Sequence, residues 1–403
     1  MGKTAFVPAD ILIPATADMS DWSVVACDQF TSERDYWERV KERTSGKLST
    51  FHMILPEAYL NEIPIKDMAA STKNVMESYL SAGIFETLTN SFVYVERSVE
   101  GGVRRGLVGA IDLDAYDYAV GSCAPVRASE RTVIERLPAR VTIRESAPLE
   151  LPHVAVLIDD PDKSVVEPLH KKTGSMRKIY DFDLMENGGR IKGYQINGEL
   201  LEQVIEALNI LADRDVQMIV GDGNHSLAAA KDLWERVKKI LPEEELKNHP
   251  ARYALVELNN VYDDGIVFEP IHRVVFNTCP DKLFEVLKER LGCTEGRSIV
   301  CVFNGKREEI KIRGRSFGGM IDSLQEFLEE YAACCGGVID YIHDDDAVVR
   351  LTKEEDSIGF LLPAMDKEDL FRTVITDGVF PKKSFSIGHA KDKRYYLECR
   401  KIK

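Results

Sequence analysis

Several familiar signatures are missing from this chain. Its eight cysteines (Cys27, Cys123, Cys279, Cys293, Cys301, Cys334, Cys335 and Cys399) form no Cys-x-x-Cys pair. That excludes the usual spacing of a structural zinc site. Cys334 and Cys335 are adjacent, which suits two buried thiols better than a disulfide. No apolar run approaches the ~18 residues a membrane helix needs, so no membrane partner is expected. Basic residues are in deficit, with 52 Lys and Arg against 67 Asp and Glu and a net charge of −15. Nucleic-acid affinity rests on clustered Lys and Arg, so no nucleic-acid partner is expected either. The opening MGKTAFVPADILIPA leads into charged, polar sequence rather than a cleavage site. A reducing cytoplasm is the expected compartment. No repeat or low-complexity linker appears.

What remains is ordinary globular composition, 44% hydrophobic and 30% charged over 403 residues, enough for two or three domains with real cores. Helices are predicted over 33–43, 67–81, 199–213, 281–291, 321–334 and 366–376. A further helix is predicted to begin the stretch 124–146. Strands are predicted over 92–98, 104–116, 153–160, 191–196, 216–220, 251–260, 266–277, 298–303, 308–313, 347–351 and 357–362, with a last one at RYYLECRKI. Residues 161–190 read as a charged loop. The near-continuous apolar run HVAVLIDD suggests a sheet covered on both faces. The pattern is mixed α/β, with a ligand-binding part over 1–278 and a C-terminal α/β domain over 279–403.

One stretch stands out. MIVGDGNHSLAAAKDLW, residues 218–234, sets a polar hexamer between a short apolar strand and a run of strong helix formers. A helix N-terminus leaves backbone N–H groups free and carries partial positive charge. Glycines before it let an anion approach the backbone closely. Gly221 and Gly223 fit that use, and Asn224 or Ser226 could cap the helix or give way to a phosphate oxygen. Asp222 could hold Mg²⁺ or accept a proton, and His225 could donate to a phosphoryl oxygen or act as a base. Neither a Walker loop nor a Rossmann fingerprint fits this spacing. The alternative is a turn in which Asp and Asn bond the local backbone.

Other pieces join it. VRASERTVIERLPARVTIR holds Arg127, Arg131, Arg136, Arg140 and Arg144. Arg127 and Arg131 share one face of the predicted helix, and guanidinium groups bind phosphate bidentately. The alternative is a solvated helix paired with Glu130 and Glu135. FEPIHRVV sets Glu269, His272 and Arg273 in an apolar strand pattern, as a site or as an edge-strand ion pair. Asp28 follows an apolar run as a catalytic carboxylate or a turn residue. The run His343-Asp344-Asp345-Asp346 reads as a solvated turn, because consecutive residues rarely converge on one ion. FPKKSFSIGH offers Lys382, Lys383 and Ser384 in a Pro-initiated loop.

Taken together these motifs resemble a widespread bacterial and archaeal family that long lacked an assigned function. Gly-Asp-Gly-Asn-His-Ser resembles its Asp-Gly-His-His-Arg turn. GLVGAIDLDAY matches its Gly-Leu-x-Gly strand, RASERT its His-Glu-x-Thr segment, EPIHRVV its Pro-x-His-Arg strand and FPKKSFSIGH its closing loop. This chain departs from the pattern at Asn224, Ser226 and Ser129. The same turn resembles one in free-serine kinases of the ParB/sulfiredoxin-like superfamily. That resemblance implies a mixed-sheet α/β kinase core with a second α/β domain, Mg²⁺, and ATP, ADP or pyrophosphate as donor.

The expected activity is phosphoryl transfer to the hydroxyl of L-serine or a similar small hydroxy metabolite. Such chemistry needs positioning and charge neutralisation above all. Gly221, Gly223, Asn224 and Ser226 would cradle phosphates, with Arg127, Arg131, His272 and Arg273 adding positive charge or donors. Asp28, Asp222, His225 and Glu269 are the catalytic candidates, and Asp222 is the metal ligand. Glu130, Thr132, Lys382, Lys383 and Ser384 are the substrate-binding candidates. Partners are a small-molecule substrate and a phosphoryl donor, and a homodimer is compatible with the sequence. The rivals are a phosphate-ester hydrolase and a non-catalytic nucleotide- or metabolite-binding regulator.

Overall fold

The computed structural model describes residues 2–60, 62–314, 316–353 and 356–403. They form two compact units. The first comprises Met1–Ala128, Thr132–Val267 and Gly388–Lys403, and the second Ser129–Arg131 and Phe268–Ile387. The chain is mixed α/β, as expected. The anticipated boundary at 278/279 instead falls inside the second unit, and the last residues return to the first. The return is built by short pairings, Tyr395–Tyr396 on Val24–Val25 and Arg400–Lys401 on Leu149–Glu150.

An eleven-stranded sheet organises the first unit. Its main path runs Arg177–Asp183, Arg190–Ile196, Phe85–Val99, Gly102–Asp112, Tyr253–Asn260, Ala155–Ile158, Met218–Asp222, Val126–Ala128, Tyr116–Asp117. Pairings are antiparallel up to Tyr253–Asn260, which is parallel to Ala155–Ile158. Met218–Asp222 is antiparallel to Ala155–Ile158 and parallel to Val126–Ala128.

Period-2 alternation explains why the strands read as continuous apolar runs. Phe92 and Tyr94 join a core with Leu201, Val204 and Leu208 of the helix Gly198–Leu211 and with Leu227 and Trp234 of Asn224–Lys238. Val93 and Val95, on the opposite face, join Trp37 and Val40 of the helix Arg34–Thr44. Both faces are covered.

The second unit carries a five-stranded sheet, ordered Lys306–Ile312, Gly292–Phe303, Ile358–Leu361, His272–Phe276, Val338–Ile342, with antiparallel pairs throughout. Val274, Val302, Val348 and Leu361 form one of its cores. Phe268–Pro270 pairs separately with Phe385–Ile387.

Four local expectations are corrected. The stretch at 124 opens as the strand Val126–Ala128, and its helix starts only at Leu137. Arg127 and Arg131 therefore share no helix face. The charged loop 161–190 contains a strand, Arg177–Asp183, whose alternation was masked by charged residues on its exposed positions. Residues 347–351 lie in a helix, Asp345–Leu351, because Asp344 caps it by accepting from the amides of Asp346 and Ala347. The run 266–277 breaks after Pro270 into two strands belonging to different sheets.

Candidate active site

The polar hexamer is tighter than a loop. The strand runs through Asp222, the helix starts at Asn224, and only Gly223 separates them. Gly223 sits at φ 79, the left-handed region that favours glycine. An added Cβ would lie 3.0 Å from the Cα of Val154. Register on the Ala155–Ile158 side shifts between Val220 and Asp222, the kind of irregularity that re-aims a side chain. Asp222 Oδ1 accepts from the Gly223 amide at 2.9 Å. Its Oδ2 lies 3.2 Å from Lys393 Nζ. Gly223 supplies no side-chain cap, so nothing in its own side chain occupies the helix mouth.

His225 Nε2 accepts from the Val133 amide at 3.1 Å, which places the ring proton on Nδ1. Burial, reinforced by Arg140 and Arg136, lowers this histidine to about 4. It is neutral at pH 7. One residue on, Ser226 Oγ lies 2.9 Å from His153 Nε2. His153 Nδ1 in turn lies 3.2 Å from the Tyr396 hydroxyl. The Tyr396 hydroxyl donates to Cys27 Sγ at 3.1 Å and receives the Cys27 amide at 3.3 Å. Burial keeps the His153 ring below its ordinary value, against the pull of Asp28 and Asp222. Burial and the Asp28 charge push the Cys27 thiol up to about 12, so it stays protonated.

Asp28 belongs to the same neighbourhood. Burial raises its carboxyl, but His153, a 3.0 Å bond from Gln29, Lys393 and Arg140 together outweigh that and leave it below the usual range. Arg140 also bonds Glu57, whose carboxyl burial pushes up against the opposing Arg140 charge. Arg140, Glu57, His153, Ser226, Tyr396 and Cys27 all border one cavity of about 190 Å³. Its remaining walls are mainly aliphatic and include Met53, Leu55, Met76, Ile143 and Leu227.

The first unit thus holds Asp28, Asp222, His225, Gly221, Gly223, Asn224, Ser226, Arg127 and Thr132. Arg127 is turned to backbone carbonyls, donating from Nε to Ala124 at 2.8 Å. The Thr132 hydroxyl oxygen is buried and has no hydrogen-bond partner among the described residues.

The second unit holds Glu130, Arg131, Glu269, His272, Arg273, Lys382, Lys383 and Ser384. His272 and Arg273 lie on an interior strand of its sheet, so the edge-strand alternative does not apply. His272 is 1% exposed, receives the Leu362 amide on Nδ1 at 3.0 Å, and meets Asp345 through Nε2 at 2.6 Å. Neither ring nitrogen is left for a phosphate. Arg273 is fully buried, bonding Gln325 at 3.2 Å and the Ile271 carbonyl, with the Tyr341 ring 5.4 Å away. Arg131 pairs with Asp322 at 3.2 Å. Ser384 is buried and donates to the Pro381 carbonyl at 2.7 Å. Lys382 and Lys383 are exposed, and Glu269 is half-buried opposite Ser386.

His153, Lys393, Tyr396 and Glu57 escaped the sequence reading, which held Arg140 as one member of its arginine cluster. Lys393 and Tyr396 arrive on the returning C-terminal segment, which is anchored by buried ion pairs. Arg394 bonds Glu257 and Glu398, and Arg400 meets Glu150 at 2.6 Å. The run KDKRYYLE was the available signal, since three basic residues beside two tyrosines are unusual for a free tail. Among the described residues no group of three or more His, Cys, Asp or Glu side chains is arranged to hold a metal, and no helix is long and apolar enough to cross a membrane.

Residues 8–363 match a family described as a protein of unknown function, DUF1015. The chain belongs to the DUF1015 family. The resemblance carried by the Gly-Asp-Gly-Asn-His-Ser turn and the three companion motifs within those residues is therefore a membership, while the closing loop FPKKSFSIGH lies beyond them. No curated protein matches the chain. Among solved structures, a conserved hypothetical protein from Pyrococcus furiosus is 13% identical, with 72% of this chain and 90% of that one covered and a TM-score of 0.35. A free serine kinase in complex with AMP is 13% identical, covering 73% and 91%, with a TM-score of 0.39. SbnI with a C-terminal truncation from Staphylococcus aureus is 12% identical, covering 70% and 82%, with a TM-score of 0.37.

Proposed function

We propose that this DUF1015 member is a small-molecule phosphotransferase that phosphorylates the hydroxyl of free L-serine or a similar small hydroxy metabolite. The observation that carries this reading is the Asp222–Gly223–Asn224 junction. A helix of fifteen residues begins there with Gly223 as its N-cap, and Lys393 stands beside the carboxylate that precedes it. Backbone N–H groups, helix dipole and ammonium all favour the phosphates of a donor at that point. The acceptor class comes from the sequence likeness of the turn to that of free-serine kinases.

In this scheme the donor is ATP, ADP or pyrophosphate. Lys393 and Arg140 neutralise charge as the phosphoryl group moves. His225 is held in one tautomer, and its Nδ1–H orients a phosphoryl oxygen. Asp28, kept ionised by its cationic neighbours, takes the hydroxyl proton of the acceptor. Mg²⁺ is usually bound by one or two carboxylates together with substrate phosphates rather than by an all-protein cage, and the single carboxylate Asp222 fits that mode. When bound there, Mg²⁺ supplies further neutralisation of the donor phosphates.

Phosphorus NMR of the purified protein with Mg²⁺, a pool of hydroxy amino acids and each donor in turn tests the proposal. The expected result is a new phosphomonoester signal that needs the acceptor. Absence of any phosphomonoester with all three donors overturns it. Inorganic phosphate released without an acceptor points instead to a phosphate-ester hydrolase.

A further inference from the structure

We infer that Ser226 and His153 form a serine nucleophile and base that cleave esters of a compact apolar acyl group bound in the adjoining cavity. This activity is distinct from phosphoryl transfer and does not rest on it.

The geometry supplies the parts in order. A serine becomes a nucleophile when a base lies within hydrogen-bond reach and a third group orients that base. Ser226 Oγ is 2.9 Å from His153 Nε2. The Tyr396 hydroxyl is 3.2 Å from His153 Nδ1. Because that hydroxyl donates its proton to Cys27 Sγ, its oxygen is left to accept from Nδ1–H. The acceptor lone pair of the ring then lies on Nε2, facing the serine. His153 is neutral as it stands, because burial disfavours its cation. The nearby charges of Asp28 and Asp222 favour the imidazolium that forms during reaction, against Arg140 and Arg394. Ser226 lies in the first turn of the helix Asn224–Lys238, where the dipole stabilises a developing oxyanion.

The cavity sets the substrate class. Ser226, His153 and Tyr396 border it together, and Met53, Leu55, Met76, Ile143 and Leu227 make its apolar walls. Its volume is about 190 Å³. An apolar cavity near 150 Å³ accepts benzene, so an acyl chain of similar bulk fits.

The chemistry balances with water as co-reactant. Ser226 Oγ attacks the ester carbonyl carbon as its proton passes to His153 Nε2. The C–O bond to the leaving alcohol breaks, and the alcohol takes that proton. Water then attacks the acyl carbon, yielding a proton to Nε2. Oγ departs and recovers it, leaving a carboxylic acid and an alcohol.

The test is covalent labelling of the full chain with an alkyl fluorophosphonate, followed by intact mass and peptide mapping, alongside turnover of p-nitrophenyl butyrate. One adduct on Ser226 is expected, absent in Ser226→Ala, and His153→Gln should slow labelling by at least ~10²-fold. Tyr396→Phe, which removes the hydroxyl that orients the base but keeps the ring at the cavity wall, should slow labelling with unchanged half-saturation. Circular dichroism and the thermal midpoint of each variant confirm folding. No adduct on folded wild-type protein, an adduct elsewhere, or labelling indifferent to His153→Gln overturns the inference. The assay contains neither nucleotide nor Mg²⁺, so its outcome is independent of the phosphotransferase test.

Discussion

Lys393 Nζ lies 3.2 Å from Asp222 Oδ2, joining the returning C-terminal segment to the end of an interior strand. The pair sets an ammonium beside the helix start, where a transferred phosphoryl group would gather charge. Removing one well-placed charge stabiliser typically costs ~10²–10³ in rate. Asp222→Asn and Lys393→Met should each lower phosphotransfer by that factor while the fold persists. Initial rates followed by phosphorus NMR decide it. Either variant turning over near the wild-type rate removes its residue from the scheme.

Gly223 gives a second, sterically specific prediction. Its φ of 79 is strained for any other residue, and a Cβ there would meet Val154 at 3.0 Å. Gly223→Ala should cost about 1–3 kcal/mol of stability and shift Asn224 and His225 out of line. Gly198 is the control: its φ is 56, but among the described residues nothing lies within 4 Å of its added Cβ. Gly198→Ala should lose less stability and no phosphotransfer. Equal losses in urea unfolding would mean that the Val154 contact is unimportant.

Much of this was legible in the sequence, for identifiable reasons. The helices with clean 3.6-residue periodicity, such as Gly198–Leu211 with Leu201, Val204 and Leu208 buried, lie where expected. So does the strand-to-helix junction at Gly223, because strong helix formers follow it. Two kinds of feature were not legible. Arg127 falls in a three-residue strand, too short for any period to show, and its arginine spacing mimicked a helix face. His153, Lys393 and Tyr396 meet Ser226, Asp222 and Cys27 only through tertiary contact. No local pattern encodes a pairing between sequence-distant segments. Equally, Arg273 was charged and odd in its apolar run, yet its partners Gln325 and Tyr341 lie far along the chain, so internal support looked like a site.

His225 predicts a pH dependence of stability. The folded ring titrates at about 4, against 6.5 ordinarily. Between those values the unfolded chain binds a proton that the folded chain does not. The contribution of this ring to stability is therefore flat above pH 6.5 and falls as the pH drops toward 4. The loss from this one ring is roughly 2 kcal/mol, the full shift being discounted for partial exposure. His225→Gln can still accept from the Val133 amide but cannot titrate. Urea unfolding from pH 7.5 to 4.5 should show a shallower decline in the variant. Matching slopes would assign the proton uptake to other groups, among them His153, whose ring is also depressed.

Arg394 tests how firmly the C-terminal segment is held. It is 4% exposed and bonds both Glu257 and Glu398, while the Tyr180 hydroxyl donates to Glu398 at 2.5 Å. Breaking a buried pair from one side leaves uncompensated charge and costs about 3–5 kcal/mol. Arg394→Met should lose that much, since it strands Glu398 while Glu257 keeps Arg104 at 4.0 Å. Converting that carboxylate in the same chain, with Glu398→Gln, removes the stranded charge and should recover most of the loss. Because Lys393 and Tyr396 flank this anchor, phosphotransfer and Ser226 labelling should fall in the single variant and return in the double one. Urea midpoints give the stability, and the two activity readouts give the placement. A single variant that unfolds within 1 kcal/mol of wild type, a bound below the range for a broken buried pair, would show that the segment is fixed by its strand pairings with Val24–Val25 and Leu149–Glu150.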